Sequence, residues 1–295
     1  MNKIMRKKRV FLILILFLVS LLWIAPLAVT VMQSFAPIPE PVQKNDRLEE
    51  MLAQREQCRE EKIEYLQPEI LPKGFSLEQY RRILTETPVY LHSFWNSIWI
   101  TTAAVAGGLV VSLLGAYGFT ILHWKGKEAL FYLYIVVMLL PLQVTMMPNY
   151  MIAGLFGIED SPLAIILPAI FHPFGVFLLR QQMKLLPEEC IEAAKIDGAG
   201  YFRIFTRIMI PLVKSGIGAF VMLQIIEYWN LIDQAVIFIK KTEQQPLSVF
   251  LAQMNDQADE VAAAGAVYYM IPVLMLLAYG HEYLKEGIGL LNHGH

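Results

Sequence analysis

Cysteine is nearly missing from this sequence: Cys58 and Cys190 are the only two. A single pair cannot build a disulfide framework, and the topology derived below puts the two on opposite sides of a membrane. Charge is scarce as well, at 17% of 295 residues, and it is segregated between apolar runs, so the formal net of -2 says little. No basic stripe interleaved with aromatics occurs, which leaves nucleic-acid binding without support. No G-x-x-x-x-G-K-[ST] segment exists to cradle phosphates, so the chain cannot hydrolyse ATP by the usual route. No nucleophile–base pair or metal-ligand spacing stands out, and the C-terminal His293-Gly294-His295 is too short for a metal site. Neither an internal repeat nor a low-complexity tract is present.

What the sequence has in abundance is apolar length. Apolar residues make up 56% of it, and the mean hydropathy is +0.47. Runs of about 18 or more such residues with few charges read as membrane helices. We expect six: 10–33, 93–120, 128–152, 163–182, 213–239 and 261–284. The first run is too long for the apolar core of a signal peptide, and no small-residue cleavage site follows it closely, so it reads as a retained span. Pro26, Pro141, Pro148, Pro168, Pro173 and Pro272 fall inside spans, which suits kinked, tightly packed helices in a bundle better than a simple anchor.

Lys and Arg in the short loops set the orientation. Lys3, Arg6, Lys7, Lys8 and Arg9 precede the first span; Lys125 and Lys127 lie in the second loop; Arg180, Lys184, Lys195, Arg203, Arg207 and Lys214 mark the fourth connection. These segments share a side, the cytoplasm, and both termini fall there. The expected organisation is a cytoplasmic leader 1–9, a first span 10–33, an exterior loop 34–92, a five-span core 93–284 holding a cytoplasmic loop 183–212, and a cytoplasmic tail 285–295. The exterior loop has eight basic and eleven acidic residues. Its DRLEEMLAQREQCREEKIEYL stretch reads as a charged helix, either a solvated spacer or a docking surface for an exterior protein. Ser76 is placed to cap a short helix entering at Glu78.

The fourth connection is longer than a tether between spans requires. It reads LPEECIEAAKIDGAGYFRIFTRIMIPLVKSG. Pro187 suits a first helical turn, and Glu188 and Glu189 sit at its positive end. Cys190, Ile191, Ala194 and Ile196 supply an apolar side, and Gly198 can take the left-handed conformation that ends a helix. A second amphipathic stretch carries Tyr201, Phe202, Phe205 and Ile208, and Pro211 starts the next span. The expectation is helix, sharp turn, helix on the cytoplasmic face.

The order Glu192-Ala193-Ala194, three residues, Gly198, nine residues, Ile208, one residue, Ile210, Pro211 resembles the EAA loop of bacterial ABC importer permeases. Every spacing agrees, and the one departure is Ile210 where the pattern has Leu. The extended form EAAKIDGAGYFRIF, with Asp197 and Ala199 flanking the glycine, is similar to that of carbohydrate-uptake permeases, including the maltose-type second subunit. NSIWITT, GAYGFTILHWKGKEALF, LPLQVTMMPNYMI, FLLRQQMKLLPEE and YWN at 228–230 support that branch, and the resemblance covers most of residues 70–284. The tail GIGLLNHGH departs from the family's usual ending, which carries a Gly-rich stretch and a basic residue.

The resemblance implies an all-α polytopic fold, the six-helix transmembrane domain of a type I ABC importer with a cytoplasmic coupling helix. It implies a heterodimer with a second permease subunit, two copies of an ABC ATPase that binds ATP-Mg, an exterior solute-binding protein, and residence in lipid at the bacterial inner membrane. No cofactor is expected in this chain, and it is expected to be a transport subunit rather than an enzyme. Glu192, Ala193, Ala194, Asp197, Gly198, Ala199 and Pro211 would form the ATPase-coupling element: small alanines allow close approach, and Glu192 offers a charge. For the solute path the candidates are Glu227, Asn230, Gln224 and Gln143; for the three amides, packing or a hydrogen bond across helices is the alternative. Glu227 and Asp233 fall within the fifth apolar run; acids there either line a path or pair with a neighbouring helix. His172 reads as a buried, hydrogen-bonded residue. The solute is a sugar or oligosaccharide by resemblance. A non-sugar solute for an ABC permease, and an ion-coupled secondary transporter using an intramembrane carboxylate, stand as alternatives.

Overall fold

A computed structural model describes residues 2–38, 74–256 and 260–292, with side chains described for 11–38, 74–254 and 260–283. The expected charged helix within 34–92 and Cys58 lie outside the described residues. The described residues are almost wholly helical, without strands. The helices are α1 Asn2–Gln33, α2 Glu78–Thr85, α3 Pro88–Ile121, α4 Lys127–Met138, α5 Leu142–Leu155, α6 Leu163–Ile170 and α7 Pro173–Lys184. They continue as α8 Glu188–Ile196, α9 Tyr201–Leu212, α10 Lys214–Trp229, α11 Asp233–Phe238, α12 Leu247–Asp256 and α13 Ala262–Asn292. Four stretches are long and apolar enough to cross a membrane: Phe11–Gln33, Pro88–Ile121, Leu163–Lys184 and Ala262–Tyr283. The bent pairs α4–α5 and α9–α10 bring the number to six if each is one span.

The helices refine the expected runs at three places. The third run is not one helix: α4 and α5 meet at 103°. Pro141 is the cause, because it lacks a donor and sits extended at φ -64°, ψ 145° immediately before α5. The fifth run, expected over 213–239, opens its long helix one residue later, and that helix stops short of 239. Its long helix, α10, begins at Lys214 after a 74° bend at Val213, and ends at Trp229. Pro211 stays in the last turn of α9, directly after the π turn Phe205–Met209, whose wider bore accommodates the missing backbone bond. Asp233 therefore lies outside α10, exposed, in the first turn of α11. At the C-terminal end the backbone helix α13 runs to Asn292, with no break at 284.

The chain divides into two compact units. The smaller holds α1, α2 and the first turns of α13. There Gln79 Nε2 donates to the carbonyls of Gln33 and Ala36 at 2.9 Å each, tying α2 to the turn that leaves α1. Ser34 and Tyr80 hydroxyls meet at 2.6 Å, and Tyr80 packs edge-on against Tyr268. Ser76 Oγ accepts from Glu78 N at 3.1 Å, as the sequence suggests. The side chains of Phe11–Leu18 are exposed, as a lipid-facing span would be.

The larger unit has two main apolar cores. One gathers Ile100, Ala104, Ile165, Ala169, Tyr228 and Phe238. The other gathers Leu113, Tyr117, Leu179, Met183, Ile191 and Phe205, and it carries the loop between α7 and α10. Close helix approach depends on small residues. A Cβ on Gly107 would lie 2.5 Å from Ile170 Cγ1, and one on Gly216 would lie 2.7 Å from Gln182 Cγ.

Candidate functional site: a rooted surface helix and a polar cavity

Helix α8 is nine residues long and starts after Pro187, whose extended backbone (φ -59°, ψ 129°) fixes the entry. Glu188 and Glu189 lie in the first turn and Lys195 in the last, each complementing the helix dipole. The helix ends in a Schellman motif. Gly198 N donates to Lys195 O at 3.0 Å, and Ala199 N donates to Ala194 O at 2.9 Å. Gly198 has φ 76°, in the left-handed region where a Cβ is penalised. The pair that flanks the turn, Ala194 and Ala199, packs on the second core. So the fixed spacing from Ala194 to Gly198 is the spacing of this cap.

Ile191 is the buried residue of α8. Glu192, Ala193, Asp197 and Gly198 are exposed, on the outer side. Two residues assigned to the apolar side, Cys190 and Ile196, are exposed instead, Ile196 at 86%. They fall off the short stripe that Ile191 and Ala194 suffice to fill. Exposed Tyr201 and Phe202 follow the turn. The loop is held rigidly from beneath. Tyr117 Oη of α3 donates to Tyr201 O at 2.9 Å, and its ring packs on Phe205 at 5.0 Å. Pro211 is exposed, two residues before the bend.

A second anchor was not singled out from the sequence. Arg180 of α7 is buried, and its Nη2 donates to both oxygens of Glu128 at 2.6 and 2.8 Å. Its Nε donates to Phe119 O at 3.3 Å, and its guanidinium stacks 3.6 Å over the Phe131 ring. One side chain thereby ties α3, α4 and α7 together below the loop. The signal was a lone Glu opening an apolar helix and a lone Arg deep in another, which charge counting reads only as orientation.

A cavity of about 730 Å³ lies in the same unit, within the size range of small-molecule sites. Its walls come from α4, α5, α6, α7, α10 and α11, and its polar side chains are Thr145, Asn149, His172, Glu227, Tyr228 and Gln234. His172 sits at the break between α6 and α7. Pro173 drives it extended (φ -92°, ψ 105°), which turns the imidazole out of the helix ladder. Gln224 Nε2 lies 3.0 Å from His172 Nε2 and 3.3 Å from Glu227 Oε2, so its two amide hydrogens serve both. His172 Nε2 and Glu227 Oε2 are 3.6 Å apart. Of the residues nominated for the path, Glu227 lines the cavity and Gln224 stands behind it. Gln143 and Asn230 are exposed and do not line it; Asn230 Nδ2 donates back to Ile226 O at 2.7 Å.

A third cluster joins two loops. Asp160, at φ 59°, accepts from Lys240 N at 2.7 Å and Lys241 N at 3.0 Å. The Lys241 backbone bond, followed by the Lys240 backbone bond and the Lys241 ammonium, holds its carboxyl below the usual carboxylate range.

The comparisons agree with this architecture. The family model for the binding-protein-dependent transport system inner membrane component matches residues 108–285, and the chain belongs to that family. It is 28% identical over 220 residues to the arabinooligosaccharides transport system permease protein AraQ of Halalkalibacterium halodurans, covering 74% of this chain and 79% of that one. It is 33% identical over 196 residues to protein LplC of Bacillus subtilis, covering 66% of this chain and 65% of that one. Among solved structures it is similar in fold to a bacterial ABC transporter that imports the acidic polysaccharide alginate. That match has a TM-score of 0.76 and 21% identity, over 94% of this chain and 98% of that one.

Proposed function

We propose that the chain is the permease subunit of an ATP-driven importer that carries a sugar or oligosaccharide across the bacterial inner membrane. The observation that carries this is α8: a surface helix closed by a left-handed glycine, exposing Glu192 and Ala193 while Ile191 roots it on the core shared with α3 and α7. A helix so held transmits a push as a rigid lever, and packed interfaces turn small displacements into discrete rearrangements. ATPase subunits binding ATP-Mg supply the push through Glu192–Ala199. This chain supplies no nucleotide chemistry of its own.

The sugar assignment is supported by the relatives named for arabinooligosaccharide transport. The cavity under the α6–α7 break is this subunit's share of the solute path. A second permease subunit completes it, two ATPases drive it, and an exterior binding protein delivers the solute. The basic residues at the start of α1, around the α3–α4 junction and from α7 to α10 support a cytoplasmic side for those segments and both termini.

The test is purification of the tagged chain from native membranes with mass spectrometry of its partners. An ATPase and a second permease should accompany it, and Glu192→Ala should weaken ATPase retention while the chain still inserts. Isolation alone or as a homodimer, with uptake following an ion gradient, would replace this reading with a secondary transporter.

A further inference from the structure

Of the groups that line the cavity among the described residues, Glu227 is the sole carboxyl, and no Lys or Arg is among them. The Glu227 side chain is 55% exposed, while His172 is 17% exposed. The carboxyl is held at one oxygen by Gln224, with His172 Nε2 3.6 Å away, and is otherwise presented to open space. Two polar atoms behind it, His172 Nδ1 and Gln224 Oε1, are buried with no hydrogen-bond partner in the structure. Unsatisfied buried polar atoms carry a cost that folding alone does not explain, and they concentrate where a ligand or partner completes the network. The rest of the wall is apolar and aromatic, including Phe156, Phe171 and Phe174, which suits the flat apolar faces of sugar rings.

We propose that the Glu227–Gln224–His172 cluster is a charge filter in the solute path, admitting non-anionic saccharides and disfavouring uronate-bearing ones. Glu227 accepts hydrogen bonds from solute hydroxyl or ammonium groups. Gln224 fixes its orientation, and the break at His172 brings the third member to the same wall. A carboxylate on the solute would meet Glu227 within the cavity with no Lys or Arg among the described lining residues to offset the repulsion. The fold itself does not decide this, since a transporter of similar fold imports the acidic polysaccharide alginate. The inference rests on reading the cavity as solute path, and the experiment separates the two.

The assembled transporter, with its second permease and ATPases but without the binding protein, is placed in nanodiscs. Arabinotriose, maltotriose and trigalacturonate are titrated at millimolar concentration, and saturation-transfer NMR reads their binding. A neutral trisaccharide should bind at least roughly tenfold tighter than trigalacturonate. Glu227→Gln should shrink that preference by about tenfold, by weakening the neutral sugar and strengthening the uronate. Glu227→Asp, which keeps the charge, should preserve its direction, and this separates charge from misfolding. Trigalacturonate binding as tightly as the neutral sugars in the wild type would overturn the filter and leave the path reading intact. So would an unchanged ratio in Glu227→Gln. Absence of all three sugars from the wild-type cavity would overturn both.

Discussion

Gly198 has φ 76°, and a Cβ built on it would have no atom within 4 Å. In the subunit by itself, substitution there is thus a backbone problem and not a packing problem. An L-residue in the left-handed region costs about 1–2 kcal/mol. Opening the turn instead forfeits the bonds Gly198 N to Lys195 O and Ala199 N to Ala194 O, together about 1–3 kcal/mol. Alanine therefore has two routes of similar cost, and the difference between them sets the fraction of free permease whose turn stays closed. Affinity of the reconstituted permease pair for its ATPase should fall by up to about sixfold in Gly198→Ala. It should fall further in Gly198→Val, because a β-branched residue is a worse fit to positive φ, and least in Gly198→Asn, which tolerates it. Interferometry with nanodisc-embedded permease measures the series, and sugar-dependent ATPase activity reports coupling. The decisive comparison is Asn against Ala. If Asn is as damaging as Val and worse than Ala, side-chain volume at the docked surface governs the site, and the conformational argument is refuted. Wild-type affinity in Ala and Val would remove the turn from the coupling mechanism.

Three further outcomes are expected. In the Arg180–Glu128 pair the side chains are 2% and 54% exposed. Glu128→Ala strands a buried guanidinium, whereas Arg180→Met leaves a carboxylate that water can reach; the first should lower the unfolding midpoint in detergent more than the second. Gly107→Ala puts a Cβ 2.5 Å from Ile170 Cγ1, which should cost about 1–3 kcal/mol in thermal unfolding and be relieved by Ile170→Ala. Asp160 has its carboxyl lowered by the Lys241 and Lys240 contacts. Its stabilisation of the loop pair is then full above the ordinary carboxylate range and fades as pH falls through the depressed value. Protection factors at the Lys240 and Lys241 amides, corrected for the intrinsic pH dependence of exchange, should fall on acidification in the wild type, with that acid-dependent step absent in Asp160→Asn.

The sequence by itself determined the helical class, the apolar runs and the position of the helix and glycine turn at 188–198. Those depend on local quantities: apolar length against bilayer thickness, and the Ala194 to Gly198 interval that a left-handed cap demands. It also marked Glu227, because an acid in an apolar run is costly wherever the run folds. Breaks were less legible. Pro141 does bend its helix, yet Pro148, Pro168 and Pro272 lie within helices that continue, and the bend near Pro211 falls at Val213. What a proline does depends on whether neighbouring turns and helices absorb the lost bond.

Only the tertiary structure decided which distant groups meet. Arg180 finds Glu128 across 52 positions, and Gln224 finds His172 across the same interval. Asn230 and Gln143, chosen by chemistry alike with Gln224, do not line the cavity: Asn230 turns back onto Ile226 O and Gln143 is exposed at the start of α5. Periodicity assigns a residue to a face of its own helix. Which neighbour that face meets is set by how the helices cross, and that is a property of the packed chain.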